Sequence, residues 1–276
     1  METVTSQNPK LLTHQASKSN CSKSTRNSNI NFRTPLKIYR QNVRGLRCKT
    51  NELISHLHPN PPQIFCLTEH HDYWEELQQI ALNDYNLATY AKGGAHIYVH
   101  KSLNFEGVDI GNYCKEKDLE ACAIKLNLNS THICIISIYR TPTGNFNFFT
   151  NNLDLIFNKL HNPTSKPIII CGDINIDYLK NTRKKNKLQT LLLSYNLIST
   201  VNFPTRCFKN SATATDNIFI DIDSKNDYTL CPIMNGLSDH DAALLFLNTI
   251  TLRPPAQYNK LIRTLDKDSL NDFLNK

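Results

Sequence analysis

The chain has 276 residues, 40% of them hydrophobic and 20% charged, which is enough apolar content to build one large domain or two small ones. No run of about 18 apolar residues marks a membrane span, the N-terminus lacks the apolar core of a secretory signal, and the formal net charge of +7 is compatible with a polyanionic partner. Nine cysteines without a C-x-x-C pair argue against a secreted disulfide framework. Cys66, Cys134 and Cys171 lie in apolar strand patterns, where cysteine behaves as a small hydrophobe, so the compartment reads as reducing and intracellular.

Residues 1–34 are rich in Ser, Asn, Thr, Gln and Lys and too poor in large apolar side chains to offset the entropy of ordering. They are expected to be a disordered basic and polar tail. Pro35 opens the folded part, expected to span residues 35–249, and Leu36, Ile38 and Tyr39 mark a short strand closed by Asn42. Leu53, Ile54 and Leu57 follow at helical spacing, and His58-Pro59 ends that element. Ile64 to Thr68 is a second buried strand running into Glu69. A carboxylate directly beyond an apolar strand is costly unless solvated, paired or bound to a cation. His70 and His71 are adjacent and would point to different sides, while Trp74, Leu77, Ile80 and Ala81 suggest a short helix. Further strands are expected at Ala95–Val99, Glu120–Leu128 and His132–Tyr139, the last ending in Tyr139-Arg140. After the Thr141–Gly144 loop, Leu153, Ile156, Phe157 and Leu160 share one helix face.

The most telling stretch is Ile168 to Asp177. An apolar, β-branched run fits a strand buried on both faces, and Gly172 would permit a close bend as it leaves the core. Asp173 and Asn175 would stand at the strand's end, on the same side if the chain stays extended. Oxygen donors fixed at the rim of a sheet suit a hard cation such as magnesium, although an Asx-rich turn is an equally ordinary reading of these residues. A basic loop from Lys180 to Lys187 then runs into an amphipathic helix carrying Leu188, Leu191, Leu192 and Tyr195, and its charge reads as solvated surface. Phe203-Pro204-Thr205-Arg206 reads as a loop, Thr215 to Asp221 as a strand with Asp216 at its beginning, and Ser238-Asp239-His240 precedes a last strand from Ala242 to Leu247. Beyond Asn248, Pro254-Pro255 and mixed polarity suggest a linker across residues 250–276.

Strands alternating with amphipathic helices, plus hairpin-like pairs, favour an α/β fold, a two-layered β-sandwich flanked by helices. Asn42, Glu69, Tyr139, Arg140, Asp173, Asn175, Asp216, Asp239 and His240 then all fall at strand ends or in adjacent loops. Singly each is an ordinary turn residue. Together and in this order they resemble the endonuclease/exonuclease/phosphatase family, the DNase I-like four-layer α/β sandwich, over about Leu36 to Leu247. Gln41-Asn42-Val43-Arg44-Gly45-Leu46, Leu67-Thr68-Glu69-His70, Tyr139-Arg140-Thr141-Pro142, Gly172-Asp173-Ile174-Asn175-Ile176-Asp177, Pro204-Thr205-Arg206 and Asp216-Asn217-Ile218-Phe219 are similar to the endonuclease domain of LINE-type (non-LTR) retrotransposons.

The resemblance implies Mg2+-dependent hydrolysis of DNA phosphodiester bonds, with Mn2+ as a substitute. On it Glu69 would hold the metal with Asn42 beside it and Asp239 contributing directly or through water. His240 would act as general base or phosphate-stabilising group, oriented by Asp216. Asp173 and Asn175 would position the nucleophile and non-bridging oxygens, with proton transfer an alternative role for Asp173, while Tyr139, Arg140 and Arg206 would meet the phosphate and the DNA. It further implies nicking of chromosomal DNA in the nucleus to prime reverse transcription, with element RNA as a partner through a reverse transcriptase. None is encoded before Lys276, so the chain is expected to be a fragment or a truncated copy. Rivals are an abasic-site endonuclease, an RNA deadenylase or a lipid phosphodiesterase of the same fold, and an inactive nucleic-acid-binding remnant.

Overall fold

Alternation along the strands decides what this protein can build. In β1 (Thr34–Asn42), Leu36, Ile38, Arg40 and Asn42 share one face and Tyr39 and Gln41 the other. The first face meets a second sheet, where Ile133, Ile135, Ile169, Cys171, Ile218 and Ile220 join Leu36, Ile38 and Ile64 in one apolar layer. The structure is a computed structural model describing residues 34–69, 80, 82–91, 94–128, 132–160, 167–221 and 227–252. The N-terminal tail to residue 33, His70, His71, the expected helix around Trp74 and Leu77, and the linker beyond Leu252 lie outside these residues.

The first sheet joins β1, β2 (Ile64–Thr68), β3 (Tyr85–Ala91), β4 (Ala95–His100), β13 (Tyr228–Ile233) and β14 (Ala242–Leu252) in the order β13-β14-β1-β2-β4-β3. The second joins β5 (Asn104–Val108), β6 (Glu120–Asn127), β7 (His132–Tyr139), β8 (Ile168–Asp173), β9 (Leu197–Ser199) and β12 (Asp216–Asp221) in the order β5-β6-β7-β8-β12-β9. A hairpin of β10 (Arg206–Phe208) and β11 (Ser211–Thr213) stands apart from both. Arg206, expected in a loop, is the first residue of this hairpin. Helix α1 (Thr50–Leu57) connects β1 to its parallel neighbour β2, and α2 (Phe146–Leu160) connects β7 to its parallel neighbour β8. Such parallel pairs need a crossover, and they bring two strand C-termini to the same rim.

The outer faces are covered as the apolar spacing expects. Leu53 and Leu57 of α1 pack on Tyr39, Phe65 and Leu67 of the first sheet. Phe149, Leu153, Ile156 and Phe157 of α2, with Leu188 and Leu192 of α3 (Arg183–Leu193), pack on Ile136, Ile170 and Phe219 of the second. The result is the four-layer α/β sandwich.

Three local expectations change. The basic run from Arg183 opens α3 instead of forming a loop, because Thr182 caps it by accepting the Lys185 N–H at 3.2 Å. Gly172 marks no bend, since β8 continues through Asp173; its φ of +156° lets the backbone press against β7. A Cβ there would lie 1.8 Å from the Ile138 carbonyl oxygen. Strand β14 runs on to Leu252, where it pairs with Thr34, past the expected end of the folded part.

Candidate active site

The same alternation that fills the inner layer with aliphatic side chains ends, at one rim, in polar ones. Asn42 and Arg40 continue the inward face of β1, Asp173 that of β8, Tyr139 that of β7 and Asp216 opens that of β12. Register makes this a single place, since Tyr139 and Asp216 both pair with Asp173, from opposite sides. Polar contacts cross between the sheets here. Asn42 Nδ2 donates to Asp173 Oδ2 at 2.9 Å, the Tyr139 hydroxyl donates to Glu69 Oε1 at 2.8 Å, and Arg40 Nη1 lies 2.8 Å from Asp216 Oδ1.

His240 enters from the turn before β14. Ser238 Oγ accepts the His240 N–H at 3.0 Å and donates to the Asn42 carbonyl at 2.6 Å, while Gln41 Nε2 donates to the His240 carbonyl at 3.1 Å. The ring therefore arrives clamped to the end of β1. Its Nδ1 lies 2.7 Å from Asp216 Oδ2, with His240 2% and Asp216 0% exposed. A carboxylate at Nδ1 makes that nitrogen the proton carrier and leaves the Nε2 lone pair to act as a base. Thr205 Oγ1 donates to the same Asp216 oxygen at 2.9 Å and accepts the Asp216 N–H at 3.2 Å, fixing the acid in turn.

Two buried acids are thus pushed apart. Burial raises Asp216, but the Arg40 charge and the bond from His240 outweigh it and hold the carboxyl below the usual range. Asp173 has no such cation. Burial and then the Asp216 charge push it up to about 7, against the pull of His240, the Asn175 N–H and the Asn42 amide. Burial lowers His240, yet the hydrogen bond and charge of Asp216, with Asp173 and Asp239 behind them, leave it above its ordinary value. Divergent neighbours of this kind divide acid and base roles within one site.

A second cluster lies on the more exposed side. Glu69 follows β2 in left-handed backbone, with φ of +52°, and Arg44 follows β1 likewise at +46°. Both are unusual for such residues, and they are stitched by Val43 N–H to the Thr68 carbonyl at 3.0 Å and Gly45 N–H to the Glu69 carbonyl at 2.6 Å. Arg44 reaches Glu69 Oε2 at 3.5 Å and Asp239 Oδ1 at 3.0 Å, and Arg206 Nε donates to Asp239 Oδ2 at 2.9 Å. Asp239 is held below the usual carboxylate range although burial opposes this, through the Arg206 hydrogen bond and the charges of His240, Arg44 and Arg206.

These residues fit a divalent cation. Glu69 and Asp239 bring hard oxygens from separate elements onto one positive charge, and buried Asp239 Oδ1 has a cation near it but no aligned hydrogen. Asn42 stands beside them, its Oδ1 accepting the Arg44 N–H at 3.2 Å. Asp173, Asp216 and His240 also offer ligand-type atoms within 4.8 Å of one another. There Asp216 Oδ2 is bonded by His240 and Thr205 and its Oδ1 faces the fully buried Arg40 at 2.8 Å without an aligned hydrogen, so that group reads as the proton-handling half.

Two expected positions need correcting. Asn175 is not on an extended continuation of β8: its φ is +50°, and its side chain turns back to donate to the Arg140 carbonyl at 2.8 Å. Its N–H, rather than its amide, meets Asp173, at 3.0 Å. Arg140 is 1% exposed, with its guanidinium donating to the carbonyls of Ile174 and Gly144 at 3.1 and 3.2 Å. It braces the loops under the site and does not present itself to a phosphate. Asp177, the second acid of the stretch, caps its own turn by accepting from the N–H groups of Leu179 and Ala214. Arg40, Arg44, Thr205 and Ser238 were not singled out from sequence as site residues. An arginine on the inward face of an apolar strand was the one available signal, and it marked Arg40.

A four-layer sandwich whose inter-sheet rim joins a His–Asp pair to a carboxylate cluster fit for a cation is the DNase I-like architecture. Residues 133–244 match the family model described as endonuclease-reverse transcriptase. No curated protein matches the chain. Among solved structures it is similar to the endonuclease domain of TRAS1, a telomere-specific non-LTR retrotransposon, at 15% identity, covering 78% of this chain and 98% of that one with a TM-score of 0.62. It is also similar to the AP endonuclease LMAP from Leishmania major (15% identity, 78% and 88% covered, TM-score 0.60). A third is D. rerio TDP2 complexed with single strand DNA product (14%, 76% and 97%, 0.58). The chain shares its fold with these solved structures, and the family match lies within residues 133–244.

Proposed function

We propose that the chain is the integration endonuclease of a non-LTR retrotransposon. It hydrolyses a DNA phosphodiester bond with Mg2+ and leaves a 3′-hydroxyl that primes reverse transcription. The endonuclease-reverse transcriptase match and the likeness to the TRAS1 domain support this reading over other members of the fold. Chromosomal DNA is the substrate, the nucleus the place of action, and element RNA a partner through a reverse transcriptase.

The observation that carries the chemistry is the buried Asp216–His240 contact of 2.7 Å beside a protonatable Asp173. His240 takes the proton of the attacking water at Nε2, and ionised Asp216 stabilises the imidazolium that results. Asp173, held by the Asn42 amide and the Asn175 N–H, orients the water and exchanges protons at the phosphate. The P–O3′ bond breaks as the water oxygen bonds to phosphorus, so the products are a 5′-phosphate and a protonated 3′-oxygen. Glu69 and Asp239, with Asn42 adjacent, would hold the cation, which would supply positive charge to the phosphate oxygens and the leaving group. The Tyr139 hydroxyl and Arg206 stand at the same rim and contact the phosphate and flanking DNA.

Product ends test this reading. Incubation of purified protein with supercoiled plasmid and Mg2+ should give nicks that a DNA polymerase extends without end repair. An abasic duplex and poly(A) should be poorer substrates. Preference for either rival, or nicks that block extension, would contradict the integration role.

A further inference from the structure

We propose that Arg44 is a resident counter-ion of the Glu69–Asp239 pair, which a divalent cation must displace to enter the site. The inference rests on the cation-holding role given above to those two carboxylates. Each has one oxygen engaged by a neighbour: the Tyr139 hydroxyl donates to Glu69 Oε1 at 2.8 Å, and Arg206 Nε donates to Asp239 Oδ2 at 2.9 Å. The other oxygen of each turns to Arg44, Glu69 Oε2 at 3.5 Å and Asp239 Oδ1 at 3.0 Å. One guanidinium thus sits between the two oxygens best placed for a metal.

Local structure explains why it sits there. Asn42 Oδ1 accepts the Arg44 N–H at 3.2 Å and Lys49 Nζ donates to the Arg44 carbonyl at 3.1 Å, so the left-handed turn at Arg44 is pinned on both sides. The side chain therefore leaves the backbone at a fixed point beside Glu69. Its hold on the carboxylates is loose. Asp239 Oδ1 receives no aligned hydrogen despite the 3.0 Å separation, and the Arg44 side chain is 48% exposed against 12% for Glu69 and 18% for Asp239. The carboxylates are fixed by the fold; the guanidinium is the component free to swing into water. Two charges that close repel without it, and a doubly charged ion replaces it on better terms. Arg44 thereby holds the two carboxylates together against their mutual repulsion when no metal is bound, at the expense of metal affinity.

Mn2+ titration of the metal-free chain, read from the electron-spin resonance of free Mn2+, tests this without any substrate. Arg44→Gln should bind Mn2+ about tenfold more tightly than the unmodified chain at low salt, with the gap narrowing as ionic strength rises. Arg44→Lys, which keeps the charge, should stay close to the unmodified affinity. Arg44→Asn, a residue at ease in left-handed backbone, repeats the charge removal if the Gln variant folds poorly. Equal or weaker binding by folded neutral variants would overturn this inference alone. Absence of Mn2+ binding to every form would overturn it together with the cation-holding role of Glu69 and Asp239.

Discussion

Replacing Asp216 by Asn removes one carboxylate and should produce two separable losses. Asp216 and Arg40 are both 0% exposed and lie 2.8 Å apart, so no solvent screens the charge left behind on Arg40. Breaking a buried pair from one side costs roughly 3–5 kcal/mol, and a domain of this size loses about 2–4 °C per kcal/mol. A fall of about 10 °C in Tm follows for the metal-free chain. The second loss is chemical. An amide can present a hydrogen to His240 Nδ1 where the carboxylate accepts one, which moves the ring proton to Nε2 and removes the base; a drop in kcat of about a thousandfold or more is expected. Thermal melts and single-turnover nicking measure the two. The double variant Arg40→Met with Asp216→Asn discriminates between them: it removes the orphaned charge, so Tm should recover most of the fall while kcat does not. Recovery of the rate in the double variant, or an unchanged Tm in the single one, would refute the assignment of Asp216 as both anchor and orienting acid.

Three further outcomes follow from the same geometry. Because His240 is held above its ordinary value by Asp216 and the other acids despite burial, its neutral base form is reached only above about pH 6.5. The acid limb of kcat/KM against pH should lie there or higher, and Asp216→Asn should move it lower as it slows the reaction; a limb that stays put contradicts His240 as the base. Asn42→Ala deletes the 2.9 Å donor to Asp173, which should raise Asp173 further from about 7 and cost about 1–3 kcal/mol of stability in a chemical denaturation curve. Gly172→Ala would set a Cβ 1.8 Å from a carbonyl of the neighbouring strand, so a melt should show at least about 3 kcal/mol lost or no folded protein.

The strands that make the site were legible where both faces are covered. Ile168–Asp173 and His132–Tyr139 are largely apolar, β-branched runs that fit a doubly covered strand, and the polar residues at their ends stood out against that background. The edge strands were not read. In Asn104–Val108 the side chains are exposed or only half-buried, and Tyr228–Ile233 mixes the same classes, so neither carries the apolar signal of a core strand. Arg183–Lys187 looked like a loop because its charges hide a helix whose apolar face begins at Leu188. Parity of side chains put Asn175 on the same side as Asp173 only for an extended chain, and that condition fails because Asn175 adopts left-handed backbone. The resemblance offered Arg140 to the phosphate, and no local pattern reports the two carbonyls that engage its guanidinium. The partnerships of Arg40 with Asp216 and of Arg44 with Asp239 join residues far apart in the chain, and no local pattern reports them.

The account stands most directly on one measurement, the nicking rate of supercoiled plasmid by the purified chain with Mg2+ or with EDTA, beside folded His240→Ala. It predicts metal-dependent nicking that EDTA abolishes and that the variant reduces by at least about a hundredfold. Undiminished nicking by His240→Ala, or in EDTA, would contradict a metal-assisted phosphodiesterase centred on this rim.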